Sequence, residues 1–237
     1  MFVLGIETAT RVAGAAVVNE DRLVAERFVH NRKTHSQILL PMIQQVLDDA
    51  GITPRELAGV AVSCGPGSFT GLRIGMAAAK SMAQVLQVPA AGVPTLEALA
   101  WNAAGVGGLI CPILDARKQE VYTCLYKSDN GVPVPVTDPR ALSLAELKDL
   151  LASLDEQVTL LGDGVPVYGE EILQALGQKV KFAGRINLFS RAAGVAELGR
   201  RMIEEGLTGD PLTMQPSYIR RPEAEVTWER KHRAGEK

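Results

Sequence analysis

At 237 residues the chain is long enough for two modest lobes or one large one, and its 46% apolar and 22% charged content is that of a globular protein. A formal net charge of -2 excludes a general basic field for RNA or an anionic membrane. No apolar run approaches the roughly 18 residues of a membrane span.

Cys64, Cys111 and Cys124 are widely spaced and form no Cys-x-x-Cys pair. That pattern argues for a reducing compartment and against a zinc or disulfide scaffold. The chain starts on a strand-like run with no basic-then-apolar leader, so the cytoplasm is the expected location. Near the C-terminus Arg220, Arg221, Arg230, Lys231 and Arg233 interleave with Glu223, Glu225 and Glu229, which reads as a solvated tail.

Residues 2–7, 12–18 and 23–29 read as three strands of an antiparallel meander, with Asn19-Glu20-Asp21 as a turn. Thr34-His35-Ser36 then offers caps for a helix to Ala50, stopped by Gly51, with Pro41 kinking it or marking its first turn. Its apolar face is Leu39, Leu40, Met42, Ile43, Val46, Leu47 and Ala50.

A strand over 60–63 leads into Gly65-Pro66-Gly67-Ser68-Phe69-Thr70-Gly71-Leu72-Arg73-Ile74-Gly75, and a helix follows over 71–87. Such a strand–loop–helix corner often cradles phosphate. This one lacks the Walker lysine, the third glycine of a dinucleotide fingerprint and the flanking glycines of a nucleophile elbow. Ser68 or Thr70 is the expected cap. On the helix, Gly71, Gly75, Ala79 and Ala83 form one shallow ridge flanked by Leu72, Met76, Met82 and Leu86. Only Arg73, Lys80, Gln84 and Gln87 gather into a polar stripe, so the helix is covered on two sides. It is either a central helix buried within one chain or one whose ridge meets a partner helix.

A short strand over 89–93 and a helix over 95–102 close the first half. In the second half strands are expected over 109–114, 120–126 and 132–137, with Ser128-Asp129-Asn130-Gly131 as a turn. A helix over 144–153 opens on a capping box of Ser143 and Glu146. A strand over 158–161, a Gly162-Asp163-Gly164 turn, a helix over 167–176 and a last helix over 191–205 follow. The order βββαβα thus occurs twice, giving an expected division at 1–105 and 106–237 and a repeat of architecture without evident sequence identity.

That doubled order resembles the α/β fold of the actin–hexokinase–heat-shock chaperone ATPase superfamily. Within it, residues 65–73 resemble the signature of the TsaB (YeaZ) family. Further similar pieces are Leu4-Gly5-Ile6-Glu7-Thr8-Ala9-Thr10, His35-Ser36 with Leu40-Pro41, Asp115-Ala116-Arg117 with Glu120-Val121-Tyr122, and Pro216-Ser217-Tyr218-Ile219-Arg220. They span nearly the whole chain. One departure is Glu7, where the family usually has Asp.

The resemblance implies a non-catalytic scaffold that pairs with its paralogue TsaD, with TsaE in a larger complex, to place threonylcarbamoyl on the tRNA adenosine beside the anticodon. It implies no catalytic residue, metal or cofactor of the chain's own, tRNA contact only through the complex, no membrane, and a homodimer as an option when the partner is absent. In TsaD a His-x-x-x-His pair holds the metal; here Thr95 and Leu99 stand at those places. Thr8 and Thr10, at the place of the superfamily's phosphate loop, and Gly67 of the glycine corner are the cofactor candidates. The partner interface is expected at Leu39, Met42, Ile43 and Val46 of the first helix and at Gly71, Leu72, Gly75, Met76, Ala79 and Ala83 of the second.

His30, His35 and His232 read as surface or helix-start residues, and Asp115, Arg117 and Glu120 as a charged turn rather than an acid cluster. A hydrolase pairing Ser68 with His35 lacks an elbow and an orienting carboxylate. The alternative to the scaffold is an autonomous nucleotide-dependent ATPase or kinase of the same superfamily.

Overall fold

The computed structural model describes residues 1–30 and 34–220; residues 31–33 and 221–237 fall outside this description, and with them Arg221, Arg230, Lys231, His232 and Arg233. The first sheet contains β1 (Phe2–Glu7), β2 (Val12–Val18), β3 (Leu23–His30), β4 (Leu57–Gly65) and β5 (Ala90–Pro94), in the order β3-β2-β1-β4-β5. The first three strands are the expected antiparallel meander. β4 and β5 run parallel to β1, and parallel neighbours need crossovers. These are α1 (His35–Ala50), which stops at left-handed Gly51, and α2 (Phe69–Leu86), capped by the Ser68 hydroxyl accepting from the Gly71 N–H at 3.3 Å.

Every residue of β2 is buried because helices cover both faces of this sheet. On one face α1 and α2 pack Leu39, Ile43, Val46, Met76 and Ala79 against Leu4, Ile6, Ala15, Val17, Val60 and Val62. On the other lies α6 (Ala192–Glu204), with Ala192, Val195 and Ala196 on Val3, Ala16, Ala61 and Val93. Its backbone sits so near β1 that a Cβ on Gly5 would stand 2.5 Å from the Ala196 nitrogen.

The second sheet contains β6 (Leu109–Asp115), β7 (Glu120–Thr123), β8 (Tyr126–Asp129), β9 (Val132–Pro135), β10 (Arg140–Ser143), β11 (Val158–Leu161) and β12 (Val180–Phe182). Its order is β10-β7-β6-β11-β12, with the β8–β9 hairpin joined to β6. Helices α4 (Leu144–Ser153) and α5 (Val165–Leu176) supply Leu147, Leu151, Val165 and Ile172 to its core. Between the sheets α3 (Thr95–Ala100) seats Leu96 and Leu99 among Ile110, Leu114, Tyr126 and Leu161.

Four expectations are corrected. Residues 120–126 are two strands: β7 pairs with the end of β6, and β8 pairs with its start at Leu109 and Ile110. The third meander strand of this lobe is β10, while 132–135 pairs only with β8. The division at 105/106 does not hold for α6, because its apolar face fits the first sheet.

The fourth correction concerns the partner surface. Gly71, Leu72, Gly75, Met76, Ala79 and Ala83 on α2, with Leu39, Met42, Ile43 and Val46 on α1, are all buried within this chain. The small-residue ridge lets α2 lie close on its own β1–β2 loop: a Cβ at Gly71 would stand 2.1 Å from the Thr8 carbonyl oxygen, and one at Gly75 2.2 Å from Thr8 Oγ1. The open face of α2 is instead Ala77, Ser81 and Val85, bordered by half-buried Ile74, Ala78 and Met82.

Candidate functional site

The C-terminal ends of β1 and β6, where an open α/β sheet places its reactive groups, carry the candidate polar site. β1 ends on Glu7, whose side chain has no exposure at all. Its Oε1 accepts from the Ala9 N–H at 2.6 Å and from Ser63 Oγ at 3.3 Å, while Oε2 has no partner. Burial pushes this carboxyl from 4.5 up to about 7; the two hydrogen bonds oppose the rise and the charge of Asp163 adds to it.

Thr8 donates its N–H to Ser63 Oγ at 3.3 Å, and its own hydroxyl is buried without a partner against Gly75. Thr10 Oγ1 accepts from the Val12 N–H at 3.2 Å, closing the turn into β2. The Thr10 carbonyl lies 2.8 Å from His35 Nε2, which ties the first turn of α1 to this loop. Gly67 completes the group of cofactor candidates. A Cβ there would stand 2.4 Å from the Ala9 carbonyl oxygen, and that same oxygen accepts from the Ser68 N–H at 2.7 Å. The structure thus brings Thr8, Thr10 and Gly67 together, with the glycine corner folded directly onto the β1–β2 loop. The close approach that glycine permits is used by backbone against backbone.

The second lobe supplies the other carboxylates of this site, and the charge of Asp163 acts on Glu7. Asp163, at the turn before α5, accepts from the Asp115 N–H at 2.9 Å, and burial raises its carboxyl above the usual range. Asp115 Oδ1 accepts from the Arg117 N–H at 2.8 Å and from the Tyr168 hydroxyl at 2.9 Å. Burial and that carboxylate push the Tyr168 hydroxyl up to about 12. Asp115 thereby braces a turn in which Arg117, Lys118 and Gln119 all adopt left-handed φ, 63°, 53° and 58°. Glu120 pairs with Arg220, so Asp115, Arg117 and Glu120 form a turn rather than an acid cluster.

Thr95 and Leu99 are committed to the fold. Thr95 Oγ1 accepts from the Gly65 N–H at 3.1 Å, and Leu99 is fully buried between the lobes. Ser68 Oγ is the α2 cap and His35 Nε2 faces Thr10, so these two do not form a nucleophile–base pair. Among the described residues no group of three or more His, Cys, Asp or Glu is placed to hold a metal ion, and no helix is long and apolar enough to cross a membrane. Sequence reasoning missed the action of Asp163 on Glu7 and the part of Tyr168. A Gly-Asp-Gly turn reads only as a turn, and a carboxylate contributed by another lobe leaves no local pattern.

The model of a family described as TsaD, tRNA N6-adenosine threonylcarbamoyltransferase, matches residues 24–228. The chain is 35% identical over 228 residues to the tRNA threonylcarbamoyladenosine biosynthesis protein TsaB of Bacillus subtilis, covering 96% of this chain and 98% of that one. It is 29% identical to the TsaB of Escherichia coli over 97% and 98% of the two chains. The fold is shared with YeaZ from Pseudomonas aeruginosa, at TM-score 0.75 and 23% identity over 92% of this chain and 99% of that one. It is shared more distantly with the ROK hexokinase of Thermus thermophilus, at TM-score 0.51 and 13% identity over 87% and 100% of the chains. The expected actin–hexokinase-type fold is therefore the observed one, and the chain belongs to the TsaB (YeaZ) family of tRNA threonylcarbamoyladenosine biosynthesis proteins.

Proposed function

We propose that this chain is a non-catalytic subunit that pairs with TsaD and supports its transfer of threonylcarbamoyl to the tRNA adenosine beside the anticodon. The observation that carries the reading is the employment of Thr95 and Leu99. By the resemblance they stand at the places of the paralogue's metal-binding histidines, and each has a structural task here. The corner between β4 and α2 supports it as well, since its Ser68 N–H is spent on Ala9 and not free for a phosphate.

In this reading the chain has no metal or cofactor of its own and works in the cytoplasm, with TsaE joining the larger complex and tRNA held only through it. TsaD sits on the open face of α2, where Val85 is 81% exposed and half-buried Ile74, Ala78 and Met82 border it. An apolar strip of this kind is what a partner covers. The same face serves a homodimer when TsaD is absent.

The competing reading, an autonomous ATPase, is separated by one experiment. ATP turnover and threonylcarbamoyl transfer are measured for the purified chain alone, for TsaD alone and for the mixture. Activity only where TsaD is present, increased by this chain, is expected. Magnesium-dependent ATP turnover by the isolated chain, abolished by Glu7→Gln, would overturn the proposal.

A further inference from the structure

After α6 the chain does not simply end on the second lobe. Gly209 bridges to Ala90 on the edge strand β5. Lys80 on α2 donates its ammonium to the carbonyls of Leu212 at 2.7 Å and Met214 at 3.1 Å. The Met214 side chain lies beside Cys64 over Gly92, and the Ser217 N–H donates to the Cys64 carbonyl at 2.6 Å. The Tyr218 ring rests on Phe69 with centroids 5.3 Å apart, and Arg73 stacks on the other ring at 3.7 Å. Arg220 then reaches the second lobe and pairs with Glu120 at the start of β7.

We infer that residues 209–220 form a releasable latch between the lobes. Docked, the segment clamps the glycine corner and the first turn of α2 to the β6–β7 turn. Released, it uncovers Cys64, Phe69 and Arg73 and frees Glu120. The kind of contact decides for release over a permanent strap. The segment is held by two charge-assisted hydrogen bonds from Lys80, one surface ion pair, one stacked ring, a single backbone hydrogen bond at Ser217 and the Gly209 bridge, with Met214 its main apolar anchor in the first core. Contacts of that kind give local opening well below the free energy of global unfolding. A partner seated on α2 meets Tyr218 in one state and bare Phe69 and Arg73 in the other.

Cys64 is a built-in reporter, because Cys111 and Cys124 lie in the core and stay protected until the whole fold opens. Burial pushes the Cys64 thiol up to about 11, which slows its alkylation while the latch is docked. The test is alkylation of the full chain under native conditions, read separately at the three cysteines by peptide mass spectrometry. In the wild type Cys64 is expected to react faster than the other two. Lys80→Met and Arg220→Glu should each raise its rate about three- to tenfold, the range expected for losing one or two such bonds. Glu120→Arg combined with Arg220→Glu should restore it towards wild type. Equal protection of all three cysteines in the wild type, an unchanged Cys64 rate in both variants, or a common rise at all three would overturn the latch.

Discussion

Gly71→Ala tests the packing of α2 directly. The new methyl carbon would be built 2.1 Å from the Thr8 carbonyl oxygen, 3.2 Å from His35 Cδ2 and 3.3 Å from Ser68 Cβ. The oxygen is backbone and belongs to the loop that also accepts from Ser68 and contacts His35, so it has nowhere to retreat. Overpacking of this kind costs roughly 1–3 kcal/mol, and the rigid neighbour puts the change at about 2–3 kcal/mol. Alanine returns little helix propensity in a first turn. For a chain of this size the melting temperature should fall by about 4–12 °C.

Gly75→Ala is the internal control. Its nearest obstacle is Thr8 Oγ1 at 2.2 Å, a hydroxyl with no hydrogen bond to lose. Rotation of that side chain, with about 1 kcal/mol from better helix propensity, should leave the protein near wild-type stability. Thermal and urea unfolding of both variants is the assay. A Gly71→Ala protein that melts at or above wild type would refute the close seating of α2, and with it the assignment of the ridge to the monomer core.

Three further outcomes follow from the site. Glu7 is held at about 7 against 4.5, so folding takes up a proton between those values; the destabilisation is absent below 4.5 and complete above about 7. The Glu7→Gln protein should therefore gain up to about 3 kcal/mol over wild type between pH 5 and pH 8, and parallel stability curves would contradict this. Thr95→Ala strands the buried Gly65 N–H and should cost about 1–3 kcal/mol, while Thr95→Ser should cost less; equal unfolding midpoints would show that the bond carries no weight. Val85→Glu should leave stability within about 0.5 kcal/mol yet weaken TsaD binding at least about tenfold, as measured by calorimetry; unchanged affinity would remove the open face of α2 from the interface.

The first lobe was legible because its signals are local. β1 and β2 occupy the expected residues, and α1 ends where Gly51 takes the left-handed φ of 68°. β10 and β12 were missed because they have four and three residues and carry Arg140 and Lys181, too short and polar for a period of two to register. The α2 ridge shows the limit of helical periodicity. Small residues every fourth position announce a close neighbour but not which one, and a β1–β2 loop sixty residues earlier looks no different in sequence from another chain. The same limit hid the surroundings of Glu7. Asp163 acts on Glu7 through its charge from the other lobe, and neither residue carries any mark of that in the sequence.

The path of α6 bears on how the chain is born. β1 leaves the ribosome well before α6, the helix that shields its second face. Until residue 204 has left the exit tunnel, Val3, Ala16, Ala61 and Val93 have no cover, and the cleft in Gly5 that receives Ala196 stands open. Domains ordinarily fold in the order of their synthesis. Here the first sheet waits for α6, so a product stalled or truncated before that helix displays an apolar sheet face and is an evident client for chaperones and proteases.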